Sequence, residues 1–492
     1  MTRTLSPDLL AAASLAALAP AAGAAQQRAP ENLLPESRAL EEYPVRPDDN
    51  PVAPAPVPPA PARAPVPGPV PPITGDPIPT ISREVVQQFA PEIQPWSLAH
   101  AEKLAAAIAQ IGAHGLDPAD YDEAGLRQAM LAGPGAALDQ VASRTFAWLV
   151  EDMRDGRTPM EARKQWFVVD PDPDRYRTGE VMEAALASGD IAGALAGLAP
   201  LHPDYAKLKA ELAETAADQT SRRKLIRANM DRWRWLARDL GNQYLMTNVP
   251  EFQLRLTVND KILRTYKTIV GKPGRTATPQ LAETVEGVIF NPNWTVPQSI
   301  VKGEGLGARV LGNPGWARAN GYKGWRDEDT GFVTVVQQPG PGNSLGLMKL
   351  DMPNPHAIFL HDTPARGLFD NANRALSHGC IRTERASELA ITLAILAQNP
   401  TTDEERKAAA ATAVETLKSG EYTKVPFATT QMPVYITYFT MGTDIDGEMR
   451  TFKDIYGRDA PVLAALDAPR QQNRARRTDE KAVEIIDDMK TT

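Results

Sequence analysis

The chain has 492 residues, 42% of them hydrophobic and 23% charged, so it outgrows the ~250–300 residues that one core serves yet has the apolar material for packed domains. A formal net charge of −8 excludes the basic footprint of a nucleic-acid binder. A single cysteine excludes an internal disulfide; in an exported chain a leftover cysteine points to a reactive thiol or an intermolecular bond.

Residues 1–24 read as a signal peptide. Arg3 supplies the n-region charge, Leu9 to Ala19 a short apolar stretch, and Ala22-Gly23-Ala24 the small residues of a cleavage site. No cysteine follows to take a lipid anchor, and no later stretch reaches the ~20 apolar residues of a membrane span. The mature protein is expected in the periplasm or cell envelope, soluble or peripheral to membrane or wall. Residues 25–80 hold a linker, "PVAPAPVPPAPARAPVPGPVPP" at its centre, where fixed φ and missing N–H groups favour an extended spacer.

Residues 81–220 predict a helical scaffold without catalytic residues. "LAHAEKLAAAIAQIGAHG" places Leu98, Leu104, Ala105, Ile108 and Ile111 near helical spacing; "LDQVASRTFAWLVEDMRDG" and "HPDYAKLKAELAETA" follow suit. A basic helix over 221–240 carries Trp233 and Trp235, read as residues packed on a neighbour. From Tyr244 the pattern turns to alternation, with "TVEGVIF", "GFVTVVQQ", "HAIFLHD" and "PVYITYFTM" as strands and "ERASELAITLAILAQN" as a helix. The fold class is α+β: a helical domain followed by a mostly-β domain over 241–462. Residues 463–492 read as a charged tail, frayed after Arg470.

Three of the six histidines precede the only cysteine in "NPHAIFLHDTPARGLFDNANRALSHGCIRTERASELA". His361 closes an apolar strand over Ala357 to Leu360. Cys380 is expected just before a helix starting near Thr383 or Glu384, whose N-terminal N–H groups would favour the thiolate. Gly379, without a Cβ, would let backbone N–H groups approach a carbonyl oxygen. A cysteine nucleophile needs a base within reach, and spacing leaves both His361 and His378 open. A buried structural thiol and a zinc site of His361, His378 and Cys380 are the rivals; zinc lacks a fourth ligand. His100, His114, His202 and His356 read as surface or cap residues.

"SHGCIR" preceded by "LHD" resembles the signature of the YkuD-type L,D-transpeptidases, in their long, YcbB-like branch. "TVEGVIFNPNWTVPQSI", "QQPGPGNSLGLMKL" and "VYITYFTMGTDIDGEMRTFKDIYG" extend the resemblance, and "GLDPADYDEAGL", "AWLVEDMRDGRTP" and "LHPDYAKLKAEL" resemble that branch's scaffold. The resemblance implies a mostly-β L,D-transpeptidase catalytic domain behind an α-helical scaffold domain. Cys380 would be the nucleophile and His361 the general base, with Asp362 setting its tautomer by side chain or backbone. His378 and Gly379 would shape the oxyanion pocket, and Arg382 and Ser377 would bind substrate. The acyl donor would be a peptidoglycan tetrapeptide stem, D-Ala the leaving group and a 3→3 cross-link the product, with no cofactor and with carbapenems as inhibitors. Another acceptor (a wall-anchored protein, a D-amino acid or water) and a non-catalytic wall-binding scaffold are the alternatives. The branch's small peptidoglycan-binding module finds no room here. Residues 300–336 fall where the family has a cap over the cleft, as a lid or a plain surface loop.

Overall fold

A computed structural model describes residues 93–168, 176–259, 261–427 and 432–470. The expected signal peptide and proline-rich linker lie outside these residues, as does the chain after Arg470.

The scaffold is helical, as expected. Its longest helix, Ala136–Asp155, buries Leu138, Phe146, Leu149, Val150 and Met153 on one face and stops at Gly156, whose φ of +83° a glycine adopts without strain. Leu98–Gln110 begins at Ser97, whose hydroxyl accepts from the His100 N–H, and packs Leu104 and Ile108 into the same core. Pro203–Glu214 and Thr220–Trp233 carry the chain to the second domain. Trp233 is buried between His202 and Phe439, with ring centroids 4.2 and 4.4 Å away, so the tryptophan helix is a packed connector.

The second domain is built on a twelve-stranded sheet. From neighbour to neighbour its path runs Trp166–Val168, Gln280–Val285, Met432–Thr437, Gln243–Asn248, Gln253–Val258, Lys261–Gly271, Ile381–Thr383, Leu360–His361, Met348–Asp351, Gly287–Phe290 and Thr423–Pro426. The long strand Lys261–Gly271 is the hinge of this path: its first half pairs with Gln253–Val258, its second with Ile381–Thr383 and Ala375–Ser377. The apolar helix Ala386–Ala397 fills the core, with Leu389, Ile391, Leu393 and Ile395 fully enclosed. A second helix, Asp403–Ser419, starts with a capping box of Thr402 and Glu405, a signal present in the sequence and passed over there.

The scaffold segment Trp166–Val168 adds a parallel strand to this sheet, in register with Gln280, Leu281 and Ala282. The boundary drawn at 463 falls inside a helix, Asp459–Asp467, and Arg470 is buried against Asp152 and Glu151, so the domain runs on to the last described residue. Residues 300–336 are no plain loop. They form three short helices and, with Trp294–Thr295, a three-stranded sheet around their own apolar cluster of Val296, Val301, Val310, Ala317 and Val335. His356 is not at the surface, being buried with its ring stacked 3.9 Å from that of Phe167.

Candidate active site

Three adjacent strands line up one row of side chains. Lys349 is in register with His361, and His361 with Arg382. Residues opposite one another across strands share a face. Met348, Leu350, Leu360 and Ile381 point into the core, so Lys349, His361 and Arg382 stand together on the other face. Phe359, two residues before His361, belongs to this face, its ring 5.5 Å from the imidazole. Cys380, two residues before Arg382, lies at the row's end and is half-buried.

A closed set of hydrogen bonds shapes the turn that carries the thiol. The Ser377 hydroxyl accepts from the Gly379 N–H at 3.1 Å and donates to the Cys380 carbonyl at 2.6 Å. Thr278 Oγ1 donates to the Gly379 carbonyl at 2.7 Å and accepts from the Gly271 N–H at 2.8 Å. Gly379 has φ +124°, and a Cβ there would sit 3.2 Å from Ile358 Cδ1, so both backbone angle and space call for glycine. Ser377 is buried and both these bonds stay inside the turn; it shapes the loop.

The expected helix N-terminus is absent beside Cys380. Ile381–Thr383 is a strand, and the helix begins only at Ala386, after Arg385 at φ +46°. Nor is the resting thiol acidic. Burial pushes Cys380 up to about 11, against the opposing pull of the Phe359 N–H and of the Lys349 and Arg382 cations. The thiol instead donates to the Ala357 carbonyl at 3.5 Å.

His361 is buried, and its Nδ1 lies 2.5 Å from the backbone carbonyl of Asp362. A carbonyl only accepts, so Nδ1 carries the proton and Nε2 keeps its lone pair. Burial, with Arg382 and Lys349 nearby, lowers the imidazole to about 3, so the ring is neutral at ordinary pH. The Asp362 side chain turns away. It accepts from the Leu347 N–H at 2.9 Å and faces Arg366 at 3.5 Å, packed where a Cβ on Gly346 would collide with it. The tautomer is therefore set by the Asp362 backbone.

His378 is more than half exposed and faces the folded insert, its Nε2 3.6 Å from Glu304 Oε1. It does not join the row of Lys349, His361 and Arg382. Among the described residues no cluster of His, Cys, Asp or Glu is arranged to hold a metal. Sequence reasoning missed Lys349. The trace was present in "LGLMKL", where strand alternation puts a lysine opposite two core residues.

Residues 242–425 match the family model of the YkuD L,D-transpeptidase catalytic domain, and residues 96–212 match that of the scaffold domain. A putative L,D-transpeptidase of Haemophilus influenzae is 30% identical over 235 residues, 45% of this chain and 45% of that protein. Among solved structures, an L,D-transpeptidase from Mycobacterium smegmatis is 14% identical, over 41% of this chain and 60% of that one, with a TM-score of 0.20. Mycobacterium tuberculosis L,D-transpeptidase 1 is 12% identical, over 40% of this chain and 61% of that one, with a TM-score of 0.17. The chain thus spans about half the length of the curated relative it matches. It joins a scaffold domain to an L,D-transpeptidase catalytic domain of the YkuD family.

Proposed function

We propose that the protein is an exported L,D-transpeptidase of the cell envelope that forms 3→3 cross-links in peptidoglycan through a Cys380 thioester. The observation that carries this reading is the His361 ring, locked by the Asp362 carbonyl with Nε2 bare, on the same sheet face as Cys380 and Arg382.

The steps use these groups in order. His361 Nε2 takes the Cys380 proton as sulfur attacks the carbonyl between the third stem residue and D-Ala. The oxyanion sits against the Cys380 N–H, while the Gly379 N–H is spent on Ser377. Collapse breaks the C–N bond, His361 returns its proton to the departing amine, and D-Ala leaves a thioester behind. A side-chain amine of a neighbouring stem then attacks the thioester carbonyl and gives its proton to His361. The C–S bond breaks and the sulfur takes that proton back. The neutral resting thiol means that sulfur and ring act together at the moment of attack, with no standing ion pair. Arg382 stands on the same sheet face and offers a planar fork to a substrate carboxylate.

Incubation of purified protein with a disaccharide tetrapeptide, read by mass spectrometry, tests this. Release of D-Ala together with a dimer linked between two third residues is the expected result. Release of D-Ala with tripeptide alone would make water the acceptor and the enzyme a carboxypeptidase. No acyl-enzyme and no D-Ala would leave a non-catalytic wall-binding scaffold.

A further inference from the structure

The face that carries Cys380 holds two cations, and Asp351, the acid two residues along the strand from Lys349, is already bridged by Lys424. The ammonium of Lys349 lies over the Phe359 ring, 4.2 Å from its centroid, and its strand position is directly opposite His361. Arg382 flanks His361 on the other side. Neither side chain makes an ion pair or a side-chain hydrogen bond among the described residues, and Arg382 Nε is buried without a partner. The nearby acids are committed elsewhere. Asp351 is bridged by Lys424, the Asp362 carboxylate turns to the Leu347 N–H and Arg366, and Glu304 faces His378. Half-buried like charges flanking one imidazole repel, and each lacks the carboxylate that normally accompanies a desolvated cation.

We propose that Lys349 is a specificity determinant which, with Arg382, forms a two-cation clamp for an acyl donor bearing two carboxylates around the scissile bond. One carboxylate is that of the terminal D-residue. The other is a free carboxylate on the side chain of the diamino acid at the third position. The inference rests on the transpeptidase reading and goes further by naming the stem chemistry. A side-chain carboxamide, or a diamino acid without a second carboxyl group, leaves one of the cations unmatched in a partly desolvated cleft. An ammonium resting on an aromatic ring keeps its N–H donors free for such a carboxylate, and a charge-assisted bond is the stronger kind. Lys349 touches the donor in this scheme and takes no proton.

The test uses two tetrapeptides, identical except that the diamino-acid side chain ends in a carboxylate or a carboxamide. Acylation of Cys380 is followed by mass spectrometry and D-Ala release by chromatography. Wild type is expected to favour the carboxylate donor by about 10–100-fold in kcat/KM, the weight of one charge-assisted hydrogen bond. Lys349→Met should bring the ratio of the two donors close to one by slowing the carboxylate donor much more than the carboxamide, and Lys349→Arg should restore most of the preference. Lys349→Gln serves as a second neutral variant, and thermal melts check its fold. Equal acylation of both donors by wild type, or a preference that survives in Lys349→Met and Lys349→Gln, overturns the clamp while the transpeptidase reading stands. Absence of any acyl-enzyme in wild type overturns both.

Discussion

Arg458 reaches Gln165 of the scaffold and the Thr278 carbonyl through one nitrogen, Nη2, the second at 2.9 Å. Thr278 in turn donates to the carbonyl of Gly379, the residue before Cys380. The guanidinium lies over the rings of Tyr438 and Tyr456, 4.8 Å from each centroid, and the Tyr456 hydroxyl donates to the Gly271 carbonyl at 2.6 Å. Burial lowers Arg458 to about 10, which still leaves it charged at neutral pH. A scaffold side chain is thus three hydrogen bonds from the turn that aims Cys380. The same scaffold segment supplies the edge strand Trp166–Val168, which fixes Gln165 in place.

Gln165→Ala should therefore slow acylation without weakening donor binding. Loss of one bond to a buried guanidinium costs about 1.5–3 kcal/mol, shared between stability and the pose of the turn. The expected outcome is kcat down about tenfold with KM unchanged, and Gln165→Glu should recover kcat by restoring an acceptor. Burst-phase acylation kinetics would check it; an unchanged burst rate in Gln165→Ala would show that the wiring only holds the domains together.

What the sequence revealed, and what it hid, follows from range. Cys380 and His361 stood out as candidates, and the packing of Trp233 was legible, because each sits in a local pattern: a short motif, a strand end, a helix stripe. The helix placed after Cys380 was wrong because Ile381–Thr383 is captured by strands from Leu360–His361 and Lys261–Gly271, a tertiary pairing that local spacing does not encode. Lys349 and Gln165 were hidden for the same reason. The role of each depends on register with residues far along the chain, and neither sits in a motif of its own.

The two site histidines should separate cleanly by mutation. His361 is buried with its tautomer fixed, whereas His378 is exposed and pairs with an insert glutamate. His361→Ala should lose about 10²–10⁴ in acylation rate, the usual weight of a general base. His378→Ala should lose about tenfold or less, and Glu304→Gln should have a similar small effect. Single-turnover acylation of Cys380 measures all three. A dead His378→Ala beside an active His361→Ala would reverse the assignment of the base.

His361 should also make the fold acid-sensitive. Its folded value, about 3, lies below the ordinary 6.5 because the buried ring resists charging. The unfolded chain then binds the proton first, so stability is full above about pH 6.5 and falls as pH drops towards 3. The slope from one such group is at most about 1.4 kcal/mol per pH unit. Denaturant titrations between pH 7 and 4 should show a shallower decline in His361→Gln than in wild type. Identical slopes would mean the ring is solvated in solution.

The thiol offers the last and most direct measurement. With Cys380 raised to about 11 by burial, the thiolate is a minor form near neutral pH and grows about tenfold per pH unit until that value is approached. Alkylation by iodoacetamide, which brings no carboxylate and recruits no base, should follow that rise from pH 7 to about 10. A carbapenem should behave differently. Its carboxylate can engage Arg382 or Lys349, and its strained ring presents a carbonyl to the sulfur. Ring opening lets His361 take the thiol proton during attack, so adduct formation should depend on His361 and far less on pH. Because the chain has one cysteine, intact-mass analysis assigns any thiol adduct to Cys380. One added equivalent is expected on wild type, none on Cys380→Ala, and a rate reduced about 10²-fold or more on His361→Ala. A carbapenem rate that tracks iodoacetamide across pH, and that ignores His361→Ala, would show that the sulfur reacts as a free thiolate and would remove the base from the mechanism.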